Sequence, residues 1–191
     1  MSLPVMSVRM DVIESLRVGR RPLWRRRFAP AAARNAAILA RFESVRERPG
    51  VARSHLFHGR YENLYVPLEL IPELRPVYDF VAHSMAAILG RDDLRMGFWF
   101  NDMGPGQLTT RHTHDDDDEW LSAVYYVRAP ANSGRLVLYD DDQRLAIEPE
   151  EGSLLLFPPD LPHEVEPNRS GARRLSIAFN AGADDPGEQT P

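Results

Sequence analysis

The sequence contains no cysteine and no lysine. The first absence excludes disulfides, thiolate zinc sites and cysteine nucleophiles. The second excludes lysine Schiff-base chemistry, since all 23 basic residues are arginine. No run of eighteen apolar residues occurs, so no membrane-spanning helix is expected. Met1–Met10 lacks the apolar core of a signal peptide, which makes the cytoplasm the expected compartment. The 191 residues are 43% hydrophobic and 27% charged, a globular balance sufficient for one domain with a core.

Charge is unevenly spread. Residues 1–60 hold 13 Arg against 4 acids, and residues 61–191 hold 10 Arg against 24 acids. The cluster Arg20, Arg21, Arg25, Arg26 and Arg27 has little aromatic interleaving and no nucleic-acid motif around it. Pairing with the acidic remainder of the chain is therefore expected ahead of nucleic-acid binding.

The pattern along the chain changes once. Residues 1–28 read as an irregular or short-strand lead-in, Ala31 to about Arg46 as a helix, and residues 51–71 as mixed. A second helix fits Glu73–Leu89, with Gly90 as its stop. From Leu94 onward short strands alternate with turn clusters: Leu94–Asn101, Trp120–Val127, Arg135–Tyr139, Arg144–Ile147, Ser153–Phe157, His163–Val165 and Arg173–Asn180. That spacing predicts a sandwich or barrel, hence an α+β, mainly β chain with its helices outside. Residues 1–180 read as one domain, with a helical part at 1–93 and a β core at 94–180. Residues 181–191 read as a disordered tail.

Three segments carry candidate chemistry. His112-Thr113-His114 precedes four consecutive aspartates, Asp115–Asp118. Two histidines two positions apart on extended backbone reach the same side, where both can bind one metal ion. His163 and Val165 share a strand face opposite Glu164 and Glu166, so His163 should point inward and needs a partner. In Arg173–Asn180 the period of two puts Arg174, Ser176, Ala178 and Asn180 on one face and Leu175, Ile177 and Phe179 on the other. A guanidinium beside a hydroxyl suits a carboxylate. A polar loop, a capped hairpin and an edge strand are the plain readings of the same segments.

In this order the segments resemble the iron(II)- and 2-oxoglutarate-dependent oxygenases. His112 and His163 lie 51 positions apart, and Arg174 follows 11 later. The likeness is nearest to small bacterial members with a His-x-His motif. The matching residues are Trp99-Phe100-Asn101, Gly104-Pro105-Gly106, Ser122-Ala123-Val124-Tyr125-Tyr126, Phe157-Pro158 and Arg174 to Asn180. The resemblance spans about residues 94–180 and implies a double-stranded β-helix (jelly-roll) core. It also implies iron(II), 2-oxoglutarate and O2 as cofactors, with no catalytic residue beyond the metal centre.

Carried over residue by residue, His112 and His163 match iron ligands. Arg174 matches the anchor of the far carboxylate of 2-oxoglutarate, with Ser176 as its companion. Tyr126 and Ser122 fall on the pocket face, and Asn101 is a further contact candidate. The family's second ligand is a carboxylate, whereas this chain has His114 at that position. The ligand set implied is His112–His114–His163, with Asp116 as the alternative second ligand.

The resemblance implies a hydroxylase acting on an unidentified small molecule or peptide, away from membranes. A homodimer is left open. Two other readings stand beside it: a cupin-type metal enzyme that does not use 2-oxoglutarate, and a non-catalytic jelly-roll binding module.

Overall fold

The computed structural model describes residues 12–57, 59–114 and 118–183. Its elements in chain order are β1 (Glu14–Val18), β2 (Arg21–Arg27), α1 (Ala31–Val45), β3 (Ala52–Phe57), β4 (Arg60–Tyr65), α2 (Arg75–Leu89), β5 (Leu94–Met103), β6 (Thr109–His112), β7 (Glu119–Arg128), β8 (Leu136–Asp140), β9 (Gln143–Ile147), β10 (Ser153–Phe157), β11 (His163–Val165) and β12 (Arg174–Ala183). Two antiparallel sheets face each other. The large one runs β1-β2-β10-β7-β12-β5-β4-β3, and the small one runs β6-β11-β8-β9. Strands β5 to β12 alone supply four to each sheet, which is the expected jelly-roll.

The large sheet is buried on both faces, and each face has its own core. On the outer face, α1 contributes Ile38, Phe42 and Val45, and α2 contributes Val77, Val81 and Met85, at spacings that place each set on one helical stripe. They pack on Phe100, Tyr125, Ile177 and Phe179 of the sheet. Phe42 stacks on Phe100 with ring centroids 4.7 Å apart. α2 ends where Gly90 adopts φ +70° and donates its N–H to the Ala86 carbonyl. Between the sheets, Leu23, Tyr126, Leu138, Leu155, Phe157 and Leu161 fill one end and leave the other open.

The two helices and the seven strands expected after residue 93 all form. Five further strands form, two of them within the stretch read as an irregular or short-strand lead-in and three without a strand expectation. The residues before 94 are not merely helical: the β1–β2 hairpin extends the large sheet beyond β10, and the β3–β4 hairpin extends it beyond β5. Over residues 12–28 the lead-in takes its short-strand form. At the other end, residues 181–183 complete β12 by pairing with Met96, Arg95 and Leu94, so they are not part of a tail. The tail expected over the remaining positions, 184–191, lies outside the described residues.

The arginine cluster is largely partnered within the chain. Arg21 pairs with Asp160, Arg25 with Glu14 at 2.8 Å and Arg27 with Glu150 at 2.7 Å. Arg26 donates to Ser84 at 2.9 Å and lies over the Phe80 ring. Among the described residues no helix is long and apolar enough to cross a membrane.

Because Phe100 is fully buried and joins a helix to the sheet, Phe100→Ala is expected to cost about 3–5 kcal/mol of stability. Urea unfolding followed by circular dichroism measures the loss.

Candidate metal centre and cosubstrate pocket

The open end between the sheets is a cavity of about 440 Å³. Its walls follow from cross-strand register. Asn63 of β4, Asn101 of β5, Ser176 of β12 and Tyr126 of β7 are successive partners across the large sheet. One row away, Trp99, Ala178 and Val124 are partners, and beyond them Asn180 and Ser122. Successive residues of a strand point to opposite faces, so alternate residues of these strands share the cavity side. Arg174, Ser176, Ala178 and Asn180 line it, while Leu175, Ile177 and Phe179 pack under the helices, as the period of two predicts.

The three histidines come together at the cavity's edge with the small sheet. In the β6–β11 pairing His112 and His163 are direct Cα partners. That register closes the 51-residue separation. His114 follows the end of β6, and its backbone N–H is held by the Pro159 carbonyl at 2.8 Å. One nitrogen from each ring lies within 4.8 Å of the others.

Backbone carbonyls orient two of the rings. His163 Nδ1 contacts the Leu161 carbonyl at 2.9 Å, and His112 Nδ1 contacts the Thr110 carbonyl at 2.8 Å. A carbonyl only accepts, so both Nδ1 atoms donate. Each Nε2 is then left with its lone pair, as a metal ligand requires. Burial, with the neighbouring His112 and His114 adding to it, pushes the His163 pKa down to about 3. The ring is therefore neutral at working pH. Asp116, the alternative second ligand, lies outside the described residues.

Arg174 is only 1% exposed. A terminal guanidinium nitrogen donates to the Gly134 carbonyl at 2.7 Å; its Nε is buried without a partner, and among the described residues no carboxylate pairs with it. Burial pushes its pKa below the usual arginine value. Gly134 takes φ +94°, and a Cβ there would collide with the Glu166 carbonyl, so glycine lets this loop close on the site. The Tyr126 ring lies 5.1 Å from the guanidinium carbon, and its hydroxyl is buried without a hydrogen bond.

A buried guanidinium whose Nε lacks an acceptor and a buried hydroxyl without a partner are costly unless an anion completes them. The site therefore fits both implied groups. Three clustered imidazoles suit a divalent metal ion, and the Arg174 Nε and Tyr126 hydroxyl, both without a partner, suit a carboxylate.

The other expected contacts sit as follows. Ser176 lines the cavity beside Arg174. Ser122 also lines it, but its hydroxyl donates to Asn180 Oδ1 at 2.8 Å. Tyr126 lies beneath the lining rather than on it. Asn101 lines the cavity with its amide N–H groups given to Glu62 O and Asn63 Oδ1, each at 3.0 Å. His55, Glu62, Asn63 and Tyr65 of the β3–β4 hairpin also face the cavity. Residues before 94 therefore help to wall a cavity whose expected site residues all lie after residue 93. No linear motif marks those four; register alone brings them in.

The family model described as the 2OG-Fe(II) oxygenase superfamily matches residues 98–182. This chain resembles the 2OG-Fe(II) oxygenases. Among solved structures, it is similar to a prolyl hydroxylase from Trichoplax adhaerens in complex with a hypoxia-inducible-factor peptide fragment. The identity is 17% and the TM-score 0.68, over 85% of this chain and 84% of that one. A Pseudomonas putida prolyl-4-hydroxylase is 23% identical, TM-score 0.61, covering 87% and 90%. EvdO2 from Micromonospora carbonacea var. aurantiaca, complexed with 2-oxoglutarate, is 15% identical, TM-score 0.64, covering 95% and 98%. Among curated proteins none matches the sequence. At these identities the structural likeness carries the fold alone.

The depressed His163 pKa has a consequence for stability. Between about 3 and the ordinary value near 6.5, the unfolded chain binds a proton that folded His163 refuses. Stability of the metal-free protein should therefore fall as pH drops through that window. Urea unfolding at pH 7 and pH 5 should show a larger loss in the wild type than in His163→Gln.

Proposed function

We propose that this protein is a non-haem iron(II), 2-oxoglutarate-dependent oxygenase. It would couple oxidative decarboxylation of 2-oxoglutarate, giving succinate and CO2, to oxidation of a small molecule or peptide, with hydroxylation as the reaction. The observation that carries the reading is the buried Arg174 with no carboxylate partner, in the same cavity as three clustered imidazoles. The sequence match to the oxygenase superfamily supports it.

His112, His114 and His163 would hold the iron. Arg174 would bind the far carboxylate of 2-oxoglutarate, with Ser176 beside it and the Tyr126 hydroxyl within the same buried layer. Bound there, iron and 2-oxoglutarate supply the redox chemistry with O2. The chain's own contributions are orientation and exclusion of water. The carbonyls of Thr110 and Leu161 fix the imidazoles, and the Gly134 carbonyl holds one edge of the Arg174 fork and leaves Nε for the ligand. Val124, Phe157 and Ala178 give the cavity apolar wall between these polar groups.

A three-histidine set also suits a cupin-type enzyme that does not use 2-oxoglutarate, but that reading gives the orphaned guanidinium no role.

Arg174→Ala is expected to weaken 2-oxoglutarate binding roughly 10- to 100-fold, the scale of losing a charge-assisted hydrogen bond. Calorimetric titration in the presence of Co(II) measures it. Unchanged affinity in a folded variant would remove the assignment of Arg174. In a separate assay, the wild type with iron(II) and O2 is expected to convert 2-oxoglutarate to succinate, and His163→Ala is not.

A further inference from the structure

The half of the cavity away from Arg174 is walled by the β3–β4 hairpin, and its hydrogen bonds form a chain that can be read in one direction. The Glu62 backbone carbonyl accepts from Asn101 Nδ2 at 3.0 Å. A carbonyl cannot donate, so this contact fixes which end of the Asn101 amide is nitrogen. The same Nδ2 lies 3.0 Å from Asn63 Oδ1, which fixes the Asn63 amide in turn. Asn63 Nδ2 then faces His55 Nδ1 at 3.1 Å. An amide nitrogen only donates, so His55 Nδ1 must accept. Ser54 Oγ, 2.7 Å from the same nitrogen, donates to it as well and can accept from Tyr65 OH at 3.2 Å. The neutral His55 ring therefore carries its proton on Nε2.

A second observation points to the same residue. His55 lines the cavity with its backbone at φ +56°. For a residue with a Cβ that left-handed conformation is strained, and such strain gathers where a side chain has to be aimed.

We infer that His55 is a substrate-recognition residue, held by the Glu62–Asn101–Asn63 relay as a neutral Nε2–H donor for an uncharged oxygen acceptor on the substrate. Asn63 and Asn101 are positioning residues in this scheme. The inference rests on the oxygenase reading of the cavity. The charge of the surroundings selects the acceptor class. Among the described residues lining the cavity, the one arginine is Arg174, which the cosubstrate would occupy. Glu62 is ion-paired with Arg60 at 2.9 Å, and Glu119 is already engaged. Among these described residues neither an anionic nor a cationic substrate group finds a dedicated counter-charge. A carbonyl or hydroxyl oxygen needs only the donor that His55 provides, and Trp99 and Tyr65, ring centroids 6.2 Å apart, offer apolar surface next to it.

The test uses the full chain loaded with Zn(II) and 2-oxoglutarate, labelled with 15N-histidine. Long-range 1H–15N spectra distinguish the two neutral tautomers. His55 is expected as the Nε2–H form, and Asn63→Asp, which replaces the donor by an acceptor, is expected to place a proton on Nδ1. In the same samples benzamide, benzoate and benzylammonium present a neutral acceptor, an anion and a cation on one ring. Benzamide is expected to bind the wild type at least fivefold more tightly than either charged probe, and to lose at least fivefold in His55→Ala. An Nδ1–H signature in the wild type would overturn the inference. So would benzamide binding that is absent, weaker than that of a charged probe, or unchanged in His55→Ala. Binding of 2-oxoglutarate to the wild type is followed separately: if it binds while these results fail, the recognition role falls and the oxygenase reading stands.

Discussion

The register of β12 is the constraint on which this molecule depends. The strand lies between β5 and β7, and its alternate residues serve two different cores. Leu175, Ile177 and Phe179 are buried beneath the helices; Arg174, Ser176, Ala178 and Asn180 line the cavity. A slip of one residue would exchange these sets. It would place a guanidinium in the aromatic layer of Phe42 and Phe100 and three large apolar side chains in the cavity. Ten residues of β12 pair with β5 along its whole length, so the hydrophobic pattern that stabilises the fold also aims the anchor of the site.

The site combines features that would be liabilities elsewhere. A buried guanidinium without a carboxylate, a buried hydroxyl without a partner and a histidine too buried to take a proton each cost stability. They persist because the packing around them determines their positions. A dianion and a divalent metal ion would remove all three costs at once. In the small sheet, the direct pairing of His112 with His163 does for the metal ligands what the β12 register does for Arg174.

Much of this was legible in the sequence, and the reasons are particular. The apolar stripes of α1 and α2 repeat at helical spacing, and the strands after residue 93 sit between strong turn clusters. The facing of residues 174–180 followed from alternation alone. β2 was obscured by its arginines and by Pro22, which weakens any strand reading. β6 is four residues long and polar, so it has no hydrophobic signature. β4 pairs with β5 and β3 only with β4, and so His55 and Asn63 could not be read as cavity residues from a linear pattern. Asn101 was visible as a motif residue, but its amide is spent on orienting Asn63.

The central claim is that one cavity holds iron(II) through His112, His114 and His163 and 2-oxoglutarate through Arg174. Anaerobic titration of the wild-type protein with iron(II) and 2-oxoglutarate, followed by visible absorption, tests it most directly. The account predicts a metal-to-ligand charge-transfer band that appears only when both are present and saturates at one equivalent of each. A folded protein that gives no such band would contradict it.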